Sequence, residues 1–276
     1  MTLCEHVNAC AQFVQRKDSA LALSELPDFE RPPVIEVALS VQFEESLDIQ
    51  ASGEDVLAAA WPDYDLEMRP VLTTMGLEPG AYDRPDDEAG DRRLWLSNPG
   101  GSRVIQVQHD RLAVHWTQED SEEIYPRFAS LREFFVEAWH RLNDAVDDQL
   151  VPGICQVLYV NHIGAESGWQ GPEDTPEILA PWGGIMSDDF LPEPGIAATY
   201  LHFHIPDPGE WLDIQAGPVG VDDRSVLAVY LAARGIAASP DLEGVLEFMD
   251  LAHEWIVRGF ASFTTPSAHK TWGRNR

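Results

Sequence analysis

Residues 32–43 read PPVIEVALSVQF, and this segment decides the architecture that the sequence predicts. The two prolines favour extended backbone, and the residues after them are rich in β-branched side chains, which pack well on a pleated sheet. A second apolar segment, ICQVLYVNHI, occupies residues 154–163. Residues 34–43 and this second segment are both predicted strands. Because both faces of the second are largely apolar, we expect it to lie in the centre of a sheet.

The same succession of elements follows each of these strands. A long irregular excursion, rich in proline in the first half and in proline and glycine in the second, leads to three short strands and then to a long helix. The predicted short strands are 93–97, 103–109, 111–117, 198–205, 210–216 and 225–231. Apolar side chains recur at helical spacing from Phe128 and again from Leu242, where Ser239 is the predicted N-cap.

The sequence therefore predicts an α+β fold in which antiparallel sheets pack one face on two long helices. Because the order of elements repeats, we hypothesise a pseudo-duplicated unit with halves 32–150 and 153–265. Residues 1–31 are predicted to form an N-terminal appendage, and residues 32–276 a single domain.

The charge of the chain excludes some functions. It carries 47 acidic and 18 basic residues, a net charge of -29, which disfavours direct binding to nucleic acid backbones. Only two of the basic residues are lysines, as a proteome-wide bias would produce. The alternative is an acidic surface that attracts a basic protein partner.

Hydropathy and cysteine content predict the compartment. No window approaches the about 18 consecutive apolar residues that a membrane span needs, and no signal peptide is recognisable. Cys4, Cys10 and Cys155 are too few for a disulfide framework. We expect a cytoplasmic protein that does not bind membranes.

A candidate metal site lies in the segment YLHFHI, residues 200–205. Strand alternation places Tyr200, His202 and His204 on one face, and with Glu210 this pattern resembles the first cupin motif. The resemblance implies that His202, His204 and Glu210 bind a divalent transition metal. The spacings are one residue too long, however, and no second motif follows. The alternative is a solvated polar strand face without a cofactor.

Two further histidines lie at informative positions. Asn161 and His162 end the predicted central strand, where polar groups at the edge of a sheet can line a binding cleft. The alternative is that both side chains only hydrogen-bond a neighbouring loop. His253 lies beside the buried stripe of the last helix, which is more typical of a satisfied core histidine than of a catalytic one.

Three parts of the chain resemble a sporadically distributed prokaryotic family of unknown function and about this length. They are the Pro-Pro-x-x-Glu-Val motif at 32–37, the strand YVNHI at 159–163, and the closing helix with His253 and Phe260, followed by Trp272. At the position of His162 the family has an arginine. The resemblance implies a common fold unit with a patchy distribution, and it implies no reaction.

Serine hydrolase, phosphate-loop and dinucleotide-binding signatures are absent from the sequence. The sequence therefore predicts a cytoplasmic binding or regulatory protein that acts by protein contact, without an identified catalytic activity. The alternative is a metal-dependent enzyme that uses the cupin-like histidines.

Overall fold

The computed structural model describes residues 25–47, 54–73, 85–86, 92–118, 123–146, 149–183, 196–205, 210–221 and 224–275. Cys4 and Cys10 lie outside this part of the chain, as do parts of both predicted excursions and residues 1–24 of the predicted appendage. The statements below concern the described residues.

A single antiparallel sheet of nine strands forms the centre of the protein. Its strands are β1 Val34–Phe43, β2 Asp65–Pro70, β3 Arg92–Ser97, β4 Arg103–Gln108, β5 Arg111–Thr117, β6 Pro152–Ile163, β7 Thr199–His204, β8 Trp211–Val221 and β9 Arg224–Ile236. Their order across the sheet is β2-β3-β4-β5-β1-β6-β9-β8-β7. The predicted antiparallel architecture is confirmed. The predicted sheets form one sheet because β1 pairs with β6.

The strand order places the first strand of each half at the centre. The strands that follow it in the chain lie outward, towards β2 on one side and β7 on the other. A duplicated unit would give this order, and the duplication itself stays a prediction. The sequence analysis missed β2, because this edge strand is short, exposed and ends at Pro70 within a proline-rich stretch.

Five α-helices accompany the sheet in the described part of the chain: α1 Glu54–Ala59, α2 Arg127–Ala145, α3 Thr175–Ile178, α4 Leu242–Phe263 and α5 Pro266–Thr271. Three short 3-10 helices surround α3 at Ala165–Ser167, Pro172–Asp174 and Ala180–Trp182. No helix among these residues is long and apolar enough to cross a membrane.

The N-cap of α4 differs from the prediction. Asp241 caps the helix, and its Oδ1 accepts a hydrogen bond of 2.9 Å from the Gly244 amide. Ser239, the predicted cap, donates its hydroxyl to the same oxygen at 2.6 Å. Ser239 therefore orients the capping carboxylate and does not contact the helix amide itself.

Helices α2 and α4 pack on the same face of the sheet. Phe43 on β1 contacts Trp139 on α2, with ring centroids 5.8 Å apart, and Tyr159 on β6 contacts His253 on α4. Residues paired across antiparallel strands share a face, so the register assigns every strand residue to the helix face or to the opposite face. Most side chains of the helix face are apolar and buried. Several buried side chains of the opposite face are polar, namely Ser40, Gln106, Gln156, Asp213 and Arg234.

The described end of the predicted appendage is bonded to the C-terminal segment. Phe29 is buried and forms an isolated bridge with Arg274. The amides of Glu30 and Arg31 donate to the carbonyls of Gly273 and Trp272, each at 3.0 Å. Residues 29–31 are thus held against the domain by backbone hydrogen bonds.

A substitution at Gly244 tests how closely α4 packs against the loop that precedes it. A Cβ at Gly244 would overlap the backbone nitrogen and carbonyl oxygen of Ser239, whereas a Cβ at Gly220 would meet nothing within 4 Å. We expect Gly244→Ala to lower the free energy of unfolding by about 2 kcal/mol or more, and Gly220→Ala to change it by less than about 1 kcal/mol. Urea unfolding measures both. Equal midpoints for the two variants would contradict the close packing.

Candidate functional site

A cavity of about 530 Å³ lies between the helix face of the sheet, the start of α2, the middle of α4 and residues 26–29. A register shift between Val34 and Glu36 marks a β-bulge at the start of β1, where Val34 pairs with Asn161. This bulge lies at the floor of the cavity, to which Val34 and Asn161 both contribute. Apolar groups from α4, including Ile256 and Phe260, form one wall.

Three polar side chains of the cavity form a hydrogen-bonded chain. The hydroxyl oxygens of Tyr125 and Tyr159 are 2.8 Å apart, and the Tyr159 hydroxyl lies 3.0 Å from Nδ1 of His253. The His253 ring stacks on Phe128 with centroids 4.0 Å apart and an angle of 2° between the planes. This stacking fixes the plane of the imidazole, and the hydrogen bond with Tyr159 places Nδ1 towards the tyrosine.

Burial keeps this chain uncharged at neutral pH. Desolvation raises the pKa of Tyr125 to about 12, although the hydrogen bond from Tyr159 and the charge of Arg127 oppose the rise. Desolvation also raises the pKa of Tyr159 well above its usual value. Burial lowers the pKa of His253 to about 4. The phenols and the imidazole are therefore all neutral at pH 7.

An ion pair lies at the rim. The Arg127 guanidinium contacts Asp28 at 3.1 Å and donates to the carbonyl oxygen of Phe29 at 3.1 Å. Arg127 is the first residue of α2 and has a φ of 71°, in the left-handed region that costs an L-residue about 1–2 kcal/mol. The two contacts hold this conformation and connect α2 to the segment that closes one side of the cavity.

The structure separates the two residues predicted to line a cleft. Asn161 lines the cavity, and its side-chain amide donates to the carbonyl oxygen of Val229 at 3.1 Å. His162 is the next residue along β6 and points to the opposite face, where its charge acts on Glu36. His253 has the hydrogen-bonding neighbour expected of a core histidine, and it also lines the cavity.

The three predicted metal ligands lie away from the cavity, at the edge of the sheet formed by β7 and β8. The rings of His202 and His204 share a face and are 5.6 Å apart. Nδ1 of His202 contacts Oδ1 of Asp213 at 2.6 Å, and the Tyr200 hydroxyl donates to the same oxygen at 2.9 Å. Glu210 precedes β8, and its carbonyl oxygen accepts a hydrogen bond from the amide of Ile205.

The metal assignment of these residues stays a prediction. An imidazole held by a carboxylate through Nδ1 is typical of metal-binding histidines, and Nε2 of His202 is buried without a hydrogen-bond partner among the described residues. Over the same residues, however, no group of three His, Cys, Asp or Glu side chains is placed to hold a metal ion.

Sequence reasoning missed the two tyrosines of the cavity. Tyr125 lies outside regular structure before α2. Tyr159 lies within an apolar strand, and the sequence there does not indicate that its hydroxyl lines a cavity. The available signal was Tyr159 itself, because a phenol in a buried strand needs a hydrogen-bond partner. The identity of that partner depends on contacts between residues 34 and 94 positions away.

The fold and the cavity define a class of protein with a ligand-sized space between one sheet and two helices. No family model matches the chain, and no curated protein matches it. Among solved structures it is similar to DynU16, a protein in the dynemicin biosynthetic locus, with 13% identity over 82% of this chain and 97% of that chain and a TM-score of 0.25. It is also similar to the di-domain ARO/CYC StfQ from the steffimycin biosynthetic pathway, with 10% identity over 86% of this chain and 98% of that chain and a TM-score of 0.18. These scores carry no argument about function.

The His202–Asp213 contact predicts different effects for the two neighbouring histidines. His202→Ala removes the imidazole from a buried carboxylate, so we expect it to lower the free energy of unfolding by about 1–3 kcal/mol. His204→Ala is the matched control and should have a smaller effect, because His204 is exposed. Thermal unfolding in metal-free buffer measures both. Stabilisation by added zinc or manganese that both substitutions abolish would instead support the metal site.

The lowered pKa of His253 predicts a dependence of stability on pH. Between pH 6.5 and 4 the unfolded chain binds a proton at this histidine that the folded protein does not, so stability falls as the pH falls through this window. The wild type should lose about 2.5 kcal/mol from this group between pH 7 and 4.5, whereas His253→Phe should not.

Urea unfolding of the wild type and His253→Phe at both pH values measures this difference. His140→Ala removes an exposed histidine of α2 and is the control for the loss of an imidazole away from the cavity. A constant difference between His253→Phe and the wild type would show that His253 titrates alike in the folded and unfolded states.

Proposed function

We propose that the protein binds a small, electrically neutral and largely apolar molecule in the cavity beneath α4. The observation that carries this proposal is the cavity itself. Its volume of about 530 Å³ lies within the range of small-molecule sites, and its lining is mainly apolar and aromatic with a few polar groups.

The charges in and around the cavity restrict the class of ligand that can bind there. The polar groups that converge on the cavity are neutral at pH 7, and the rim charges of Arg127 and Asp28 pair with each other. A charged ligand group would lose its hydration on entry and would find no counter-ion among the described side chains of the interior. The net charge of -29 further disfavours the approach of anions.

This proposal retains the sequence-based prediction of a binding protein and changes the partner. Contact with a basic protein and catalysis by a bound metal both stay predictions, and the cavity supports neither. Cytoplasmic location is part of the proposal, on the basis of the low cysteine content. We also keep the hypothesis of a pseudo-duplicated unit built on two long helices, which the order of the strands supports.

Titration with phenylnaphthylamine, a neutral dye that fluoresces in apolar surroundings, tests the proposal. We expect a dissociation constant on the order of 1–100 µM, the affinity that a ligand of this size gains in an apolar pocket. Val257→Trp adds bulk to the α4 wall and should weaken binding about tenfold or more. Ser262→Trp introduces the same side chain at an exposed position of the same helix and should leave the affinity unchanged.

Two results would overturn the proposal. One is the absence of dye fluorescence with the folded wild type. The other is equal affinity of the Val257→Trp and Ser262→Trp variants, because the dye would then bind outside the cavity.

A further inference from the structure

The hydrogen-bonded chain from His253 to Tyr125 can run in two directions. A phenol has one donor and can accept at its oxygen, and a neutral imidazole carries its proton on either Nδ1 or Nε2. With the proton on Nε2, Nδ1 accepts from Tyr159, which in turn accepts from Tyr125. With the proton on Nδ1, the imidazole donates to Tyr159, which then donates to Tyr125. Both directions satisfy the distances of 2.8 and 3.0 Å.

The direction of the chain decides what Tyr125 offers to the cavity. In the first direction its proton is used by Tyr159, and its oxygen can accept a hydrogen bond. In the second direction its oxygen is occupied by Tyr159, and its O–H can donate. Tyr125 lines the cavity, and its hydrogen bond within the described part of the chain is the one to Tyr159.

The surroundings of the hydrogen-bonded chain favour reversal of its hydrogen bonds over a change in the charge of its members. Burial opposes both deprotonation of the two phenols and protonation of His253, so the chain is neutral in either direction. Interconversion moves one proton between the imidazole nitrogens by exchange with water and reorients both hydroxyls. Phe128, stacked at 4.0 Å, and the central strand that carries Tyr159 hold the rings of His253 and Tyr159 in place meanwhile.

We propose that this chain selects ligands with one neutral oxygen group, and that it accepts either a carbonyl or a hydroxyl by reversing its hydrogen bonds. A carbonyl oxygen receives the Tyr125 proton, and a ligand hydroxyl donates to the Tyr125 oxygen. The inference rests on the proposed function, since it assigns the class of ligand that the cavity binds.

Two pairs of compounds of matched shape test the selection by displacement of phenylnaphthylamine. Acetylnaphthalene is compared with ethylnaphthalene, and naphthol with methylnaphthalene. We expect the oxygenated member of each pair to bind about fivefold to tenfold more tightly, the gain of one hydrogen bond in a dry site. Naphthoate, an anion at pH 7, should bind about tenfold more weakly than acetylnaphthalene.

Substitution of Tyr125 tests whether the preference for oxygenated ligands comes from the hydrogen-bonded chain of Tyr125, Tyr159 and His253. Tyr125→Phe should bring the two members of each pair to the same affinity. Tyr230→Phe is the matched control, because Tyr230 lies on the opposite face of the sheet, and it should preserve both preferences. Preferences that persist in Tyr125→Phe would overturn the assignment.

The reversal has a spectroscopic signature that a merely structural tyrosine would not produce. Nitrogen NMR spectra of imidazole-labelled protein distinguish the two neutral tautomers, and comparison with His253→Phe assigns the signal. Acetylnaphthalene should move His253 towards the Nδ1–H tautomer and naphthol towards the Nε2–H tautomer. The same tautomer in both complexes would overturn the reversal.

The two proposals fail in different ways. If the dye does not fluoresce with the folded wild type, or if it binds Val257→Trp and Ser262→Trp with equal affinity, the proposed function fails. If all four matched compounds bind in the cavity with affinities equal within about twofold, ligand binding stands and the selection by the chain fails.

Discussion

The pairing of β1 with β6 is the contact on which the rest of the structure depends. These two strands meet in the centre of the sheet, and each begins one half of the chain. Their helix-face residues, such as Leu39 and Val157, are fully buried. Without this pairing each half would expose a long apolar strand edge, which is a site for aggregation. Joined, the halves form one sheet wide enough to support both α2 and α4.

The cavity follows from the way this central pair ends. Regular pairing runs from Glu36 to Val41, and the bulge beyond Glu36 turns Val34 to the helix face beside Asn161. At this place α2 begins at Arg127, whereas α4 continues past His253 to Phe263. The space between them is closed on one side by residues 26–29, which the pairing of Phe29 with Arg274 holds in position. The cavity is therefore a consequence of sheet geometry and helix length.

Local sequence patterns predicted most of the strands and the helices α2 and α4, and they failed where a signal was weak or ambiguous. The bounds of β1 were predicted correctly because its β-branched run is preceded by two prolines. The hairpin of β8 and β9 was predicted too short, because Gly217 and Pro218 suggest a turn, yet both pair in register with β9. Asn161 could be proposed for a cleft from its place at the end of a buried strand. The Tyr125–Tyr159–His253 chain could not, since its members come from three elements that only the tertiary fold brings together.

The two faces of the sheet show why burial alone does not decide the charge of a side chain. On the opposite face, burial raises the pKa of Glu36, but the hydrogen bond and charge of His115, 3.0 Å away, together with His162 outweigh it and lower the pKa. On the helix face, His253 hydrogen-bonds the uncharged Tyr159 phenol and stacks on Phe128, and desolvation lowers its pKa, so the imidazole stays neutral. The opposite face around Glu36 therefore stabilises charges in pairs, whereas the cavity on the helix face supplies neutral hydrogen-bonding groups. A ligand that enters the cavity meets the second environment, in which a neutral oxygen finds a partner and a charge does not.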